Sequence, residues 1–402
     1  MASNNISLAI STLVALLLAR FFYRLHQQRS LVKGLPGPPH SYFFGSLLSM
    51  TKIAIKQPPN AAPQSFVPIL RKELHLPDAF YVDPWPLGDA TLAIFNIEML
   101  DEVTIQQNLP KHEIVDKFMR SFGGPYNLVS SEGAIWKKWR SLFNPGFSHG
   151  HLMTQLLPIV EESRIFYDIM VKHAKSNDVF RMESATTKLT INIIGKIVLN
   201  LDFNAQLGQN DLVDAFVSQT RWHYLGAQYQ PSELWDIRRP IILAYNNWKM
   251  DRYLSKQLDA RFSRHDVTIK SNRAVDLTLQ AYLKENSQTT GMDAEFKRGI
   301  ISNMKTFIFA GHDTTSSTIC YALYYLQKNP ETLMKIRAEH DRVFGNESVS
   351  EQLLNHPHLL EKLTYTLAVT KEVLRLQPPG NTARTGKPDL FLHDPDLSLI
   401  HI

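Results

Sequence analysis

The hydrophobic pattern divides the chain into an apolar start, a short mixed stretch and a long helical remainder. From Ile6 to Tyr23 the only charge is Arg20, and the other positions are apolar or small. Eighteen residues of helix rise about 27 Å, close to the shortest length that crosses a hydrocarbon core. Arg20 can carry its charge to the interface along an apolar stem. Arg24, Arg29 and Lys33 follow the run and no basic side chain precedes it. That asymmetry predicts a retained single-pass anchor with residues 24 onward on the cytoplasmic side. A cleaved signal peptide would put its basic residues before the run and a small-residue cleavage site after it.

Gly34-Leu35-Pro36-Gly37-Pro38-Pro39 lacks donors and has fixed φ angles, so it reads as a stiff connector. A second proline-rich stretch holds Pro58, Pro59 and Pro63. A helix-like run over 65–75 precedes an alternating stretch, Phe80 to Asn96, whose Asp83-Pro84 and Leu87-Gly88-Asp89 turn signals predict a strand pair. Beyond it, amphipathic periodicity predicts helices over 97–107, 131–143, 150–174, 184–200, 209–222, 236–264, 274–285, 293–328, 330–344 and 361–376, punctuated by Gly, Pro and Asn. No fixed-period repeat appears, which excludes a solenoid. The tail is turn-like and closes on a strand-like LSLIHI run. The prediction is a mainly α body with a small β part near its N-terminal end.

The run over 293–328 is the longest, and its apolar middle contains Ala310-Gly311-His312-Asp313-Thr314-Thr315. Gly costs a helix interior about 1 kcal/mol relative to Ala. Asp and Thr compete there for backbone hydrogen bonds. Local rule-breaking of this kind marks functional sites. Small residues let a flat ligand approach the backbone, and an acid beside a hydroxyl can relay protons. The alternative is a helix start capped by Asp313 or Thr314. Two weaker signals lie elsewhere. Trp136 and Arg140, four apart, share a helix face and suit an anionic ligand, or else serve as core packing plus a solvated charge. Glu372 and Arg375, three apart, pair on one face, as exposed ion pairs commonly do.

The 402 residues are 44% hydrophobic and 20% charged, ordinary for a globular protein. The net charge of +5 is dispersed rather than striped, which excludes nucleic-acid recognition and suits an anionic membrane surface or an acidic partner. Cys320 is the single cysteine, so disulfides within the chain and Cys-rich zinc sites are excluded. No P-loop, G-x-S-x-G or G-x-G-x-x-G is present. His149 with His151, and His356 with His358, have the wrong spacing for a metal site.

Taken in order, the anchor, the Gly34–Pro39 connector, the Trp136…Arg140 helix, the AGHDTT centre and the Glu372-x-x-Arg375 pair resemble the cytochrome P-450 family. The GPPHSYFFGSL segment near residue 40 is similar to fungal members that tailor polyketide-like or mycotoxin-like secondary metabolites. The resemblance implies a helical haem-thiolate monooxygenase fold. It implies an NADPH-dependent reductase as electron donor, an apolar small-molecule substrate and an endoplasmic reticulum membrane location. It makes Asp313 and Thr314 the catalytic pair that delivers the protons oxygen activation consumes. Ala310 and Gly311 would line the oxygen pocket, and Trp136, Arg140 and Arg384 would hold the haem propionates. Glu372 and Arg375 would brace the fold. Substrate contacts are expected from about 120–130, 215–230 and 300–315. The resemblance leads to a domain division of 1–33 for the anchor and its basic flank and 34–402 for a partial family domain. It also shows a departure: the family's cysteine loop, a Phe-Gly-Arg-Cys type segment, is expected well after Glu372 and is not present. The chain is therefore expected to be incomplete at the C-terminus, with no axial metal ligand of its own. Cys320 would lie on the wrong side of the haem, as a small buried hydrophobe. The rival function that follows is a non-catalytic remnant.

Overall fold

A computed structural model describes residues 2–58, 61, 65–223, 236–263, 273–286, 291–387, 390–392 and 400–401. They form sixteen α-helices and two small antiparallel sheets. The chain divides into two units. One comprises residues 1–110, 223–236 and 384–402, and the other residues 111–222 and 237–383.

The first unit holds α1 (Ala2–Leu31), α2 (Leu47–Ile55), α3 (Phe66–Leu74), β1 (Ala79–Val82), β2 (Thr91–Ile94) and α4 (Ile97–Asp101), with β3 (Phe391–Leu392) and β4 (Ile400–His401) from the tail. β1 and β2 pair antiparallel, Ala79 opposite Ile94 and Val82 opposite Thr91, as the alternation predicts. β3 and β4 pair as a second ribbon. Phe80 and Val82 on one face of β1 pack with Ile53 and Leu70, which seats α2 and α3 there. Ala79 on the other face joins Met99, Val103 and Leu392. α1 is the one apolar helix long enough to cross a membrane among the described residues, and its most apolar stretch is unburied. It runs further than the apolar pattern suggests, because its last turn is packed. Leu25 is fully buried, and so is Arg29.

The second unit holds α5 (Glu113–Gly123), α6 (Gly133–Phe143), α7 (His149–Met153), α8 (Leu156–Ser176), α9 (Met182–Ile194), α10 (Asp211–Trp222), α11 (Arg239–Ser263), α12 (Ala274–Glu285), α13 (Ala294–Lys328), α14 (Pro330–Phe344), α15 (Val349–Asn355) and α16 (Thr364–Leu376). The sequence missed α2, α5 and α15. The predicted helix over 150–174 divides into α7 and α8, and the one over 97–107 continues beyond α4 as a wider π turn over Glu102–Gln106. Phe122, Trp139, Phe143, Ile191, Phe216, Leu254, Leu279 and Ile300 belong to one core around the N-terminal half of α13.

Two local devices set the helices around α13. At Gly299 a side chain would overlap the indole of Trp139, so glycine lets α6 lie directly on α13. Trp139 then stacks on Phe296 at 5.6 Å. At the other end, the Glu339 carboxylate on α14 receives the backbone N–H groups of Tyr365 (2.7 Å) and Thr366 (2.8 Å), the free donors of the α16 N-terminus. Desolvation would raise its pKa, but those bonds and the Thr366 hydroxyl hold it down to about 2.

Gly299→Ala should lower unfolding free energy by roughly 1–3 kcal/mol, the usual cost of an overpacked core. Denaturant titration checks this, and an unchanged midpoint would contradict the contact.

Candidate functional site

The AGHDTT segment lies in the middle of α13, so the alternative of a helix start at Asp313 or Thr314 is excluded. The start is at Asp293, whose carboxylate accepts the Phe296 N–H at 2.8 Å. Pro330 begins the next helix at the far end. Residues 300–306 and Ile308 are buried, and so are His312 and Ser316 on the same side. The opposite side is open. Ala310, Tyr321 and Tyr324 are exposed, with half-buried Thr314 and Ser317 between them. Their spacing of four, three, four and three residues is one helix face.

The polar groups of the segment are handled unequally. Thr314 Oγ1 donates to the Ala310 carbonyl at 2.7 Å. His312 Nδ1–H donates to the Ile308 carbonyl at 2.6 Å, and its ring meets Phe216 edge-on at 5.8 Å. The His312 carbonyl has the Thr190 hydroxyl of α9 at 3.0 Å. Side-chain donors thus reach the carbonyls of 308, 310 and 312 in succession, which loosens a helical ladder locally. Asp313 differs from these: its carboxyl has no hydrogen-bond or ion-pair partner among the described residues. Burial pushes its pKa up, against a smaller downward pull from His312. Burial also pushes His312 down. Glu183 of α9 is held above its usual range by desolvation and then by the charge of Asp313. Sequence reading missed Glu183, because its partner is 130 positions away.

The other candidates fall as follows. Gly311 faces α9, where a side chain would overlap Ile194. Trp136 and Arg140 are on the exposed side of α6, whose buried side carries Trp139 and Phe143. No partner engages the Arg140 guanidinium among the described residues. Glu372 and Arg375 form a bidentate pair at 2.7 and 2.6 Å on exposed α16. Each pulls the other's pKa outward, Glu372 down and Arg375 up. Arg384 belongs to the first unit. Its Nη1 donates to the Leu109 carbonyl at 3.2 Å, while its Nε is buried with no partner among the described residues.

The stretches expected to supply substrate contacts meet in part. Phe122 of α5 is 4.7 Å from Phe309 and 4.9 Å from Phe216, and Phe118 is 6.0 Å from Phe309. Ser302 donates to the Gly123 carbonyl, and Asn303 Oδ1 accepts the Leu128 N–H at 3.1 Å. Buried polar residues of α13 therefore hold the 123–130 loop beside an aromatic wall. Residues 224–230 lie outside the described residues.

For haem, the fit is divided. The open stripe through Ala310 and Thr314 suits a flat ring laid on a helix, and in the same unit the Arg140 guanidinium, without a partner among the described residues, is a donor of the kind carboxylates take. Cys320 does not suit the axial position. Its thiol lies 3.3 Å from the Thr186 hydroxyl, and burial pushes its pKa up, away from thiolate.

A family model described as Cytochrome P450 matches residues 36–394. The chain is 38% identical over 404 residues to Cytochrome P450 monooxygenase polC of Polytolypa hystricis, covering 98% of this chain and 73% of the relative. It is 33% identical over 343 residues to Cytochrome P450 monooxygenase acrF of Aspergillus aculeatus, covering 84% and 68%. Human Cytochrome P450 4Z1 is 26% identical over 384 residues, covering 89% and 69%.

Asp313 costs the fold stability when it ionises, because its folded pKa lies above the unfolded value. The sign follows: its favourable term is complete below the ordinary value of 3.8 and is lost as pH rises through the raised folded value. Asp313→Asn should therefore raise Tm at pH 7 to 8, with the gain shrinking to nothing near pH 3.8. Thermal unfolding across that range checks it, and a lower Tm for the variant at pH 7 would contradict the burial argument.

Proposed function

Because the chain belongs to the cytochrome P450 family, of the fungal secondary-metabolism type, we propose that it is a membrane-anchored tailoring monooxygenase acting on an apolar small molecule. The observation that carries this reading is Asp313, without a side-chain partner among the described residues and with its pKa raised by burial, beside Thr314 in the middle of α13. The overall reaction inserts one oxygen atom into a C–H bond and reduces the other to water. It consumes two electrons from NADPH and two protons. Haem supplies the oxygen-activating chemistry when bound, and a reductase passes it the electrons.

In this reading, the chain's own residues divide the work. Asp313, kept proton-rich by burial, hands protons to Thr314, whose hydroxyl turns from the Ala310 carbonyl toward the reacting oxygen. Ala310 keeps the helix surface low enough for a ring to lie on it, while Gly311 lets α9 pack behind it. Trp136 and Arg140, with Arg384, hold the propionates. Half-buried Phe118 and Phe309 meet the apolar body of the substrate and exclude water, backed by the core side chains of Phe122 and Phe216. The Glu372–Arg375 pair braces α16. α1 would span the endoplasmic reticulum membrane once, with exposed Arg24 and Lys33 on the cytoplasmic side. Residues 34–402 make up the family part, and Cys320 takes no part in catalysis.

Deleting the gene in its source fungus should remove one metabolite and accumulate a precursor one oxygen atom poorer, read by mass spectrometry. Complementation with Asp313→Asn should form product about 10²-fold more slowly, the low end for loss of a general acid. Cys320→Ser should complement fully. An unchanged metabolite profile in the deletion would contradict the reading, and failure of Cys320→Ser alone would overturn the role given to that thiol.

A further inference from the structure

Part of the interface between α9 and α13 is a polar seam, where packed helices ordinarily bury apolar side chains. Thr190 Oγ1 of α9 donates to the His312 carbonyl at 3.0 Å. Thr187 Oγ1 donates to Ser316 Oγ at 3.5 Å, and the Thr186 hydroxyl lies 3.3 Å from Cys320 Sγ. Residue numbers fall along α9 as they rise along α13, so the two helices run antiparallel. Thr186, Thr190 and Ser316 are buried. Valine or alanine would fill the same space with no hydroxyl to satisfy.

A carboxyl stands at each end of this seam. Glu183 precedes Thr187 by four residues on α9, and Asp313 precedes Ser316 by three on α13. Each acid therefore shares a helix face with the hydroxyl that follows it. Because the helices are antiparallel, Thr187 and Ser316 lie between the two acids. Glu183 is exposed, while Asp313 is half-buried in the middle of α13. Their charges reach into the seam. Desolvation and then the charge of Asp313 raise the pKa of Glu183, with Arg181 pulling it back. Desolvation and, to a smaller degree, the charge of Glu183 raise the Cys320 thiol. His312 is the other titratable group beside Asp313, and burial lowers its pKa.

The hydroxyls between the acids point one way. Thr187 donates to Ser316, and Ser316 Oγ donates to the backbone carbonyl of Asp313 at 3.2 Å. A hydroxyl can donate and accept at once. A proton that leaves Asp313 is replaced when Ser316 turns its O–H from that carbonyl to the carboxylate of the same residue. Thr187 then supplies Ser316, Glu183 supplies Thr187, and water supplies Glu183. One proton enters at Glu183, one arrives at Asp313, and neither hydroxyl keeps a charge.

We propose that Glu183, Thr187 and Ser316 form a relay that reloads Asp313 with protons from solvent across the α9–α13 seam. All three act through Asp313 and touch neither the substrate nor the reacting oxygen. This rests on the role given to Asp313 above.

The test reads protonation in the full chain, without turnover. A light flash releases a caged proton, and time-resolved infrared absorbance follows the carboxylic-acid band that Asp313→Asn removes. Thr187→Val, Ser316→Ala and Glu183→Gln should each slow the rise of that band several-fold, with thermal unfolding confirming that the variants are folded. Thr186→Val, beside the relay but not in it, should leave the rate as it is. The single native thiol gives a second readout. Glu183→Gln removes a negative charge near Cys320, so the pH midpoint for alkylation of the thiol should fall. Unchanged rates in Thr187→Val or Ser316→Ala, a slowing that Thr186→Val shares, or an unmoved thiol midpoint would overturn the relay and leave the role of Asp313 standing. A band that titrates at or below the ordinary aspartate value of 3.8 would overturn both.

Discussion

α13 has to satisfy two opposed demands along one cylinder, and the second unit is arranged around that conflict. One face must be packed well enough to hold a 35-residue helix in place. The other must stay open at its centre, where Ala310 and Thr314 stand. Glycine resolves the first demand at two points. Gly299 brings Trp139 of α6 onto the helix, and Gly311 brings α9 against it at Ile194. Each glycine weakens the helix by about 1 kcal/mol relative to alanine, and the packing it admits offsets that loss. The open face then needs no packing of its own.

The same economy explains why ionisable groups remain near the break. His312 is neutral in its buried place, with its Nδ1–H committed to a backbone carbonyl. Asp313 has no such bond among the described residues, and burial raises its pKa. A group that costs the fold stability when ionised is the kind the proposed proton transfer would use. At the other end of the chain, Arg29 shows the contrary case. It is buried, but its guanidinium makes four hydrogen bonds, so it locks structure instead of handling protons.

Much of this could be read in the sequence. The apolar N-terminal helix, the strand pair and most of the other helices carry strong patterns, and the centre of α13 announced itself by breaking local rules inside an unbroken apolar pattern. What was not legible depends on tertiary partners. α5 begins at His112, a residue that rarely caps helices, so its amphipathic pattern lacked a start signal. Arg29 looked like one of three flanking positive charges, and only Asp83, 54 residues away, makes it a buried ion pair. Gly311 reads as a ligand-side residue from its neighbours, but its close contact is with Ile194, 117 residues earlier in the chain. Glu183 had no local mark, since its meaning comes from Asp313.

The central claim is that the open stripe of α13 is a surface for a flat ring, and Ala310 tests it most directly. An exposed helical alanine accepts leucine with a change of only about 0.2 kcal/mol, so stability should not move. Haemin titration followed by absorbance, with thermal unfolding alongside, separates the two effects. The account predicts saturable uptake by the natural sequence and uptake weakened at least about tenfold, or 1.4 kcal/mol, in Ala310→Leu at unchanged Tm. Equal uptake by both chains would contradict it.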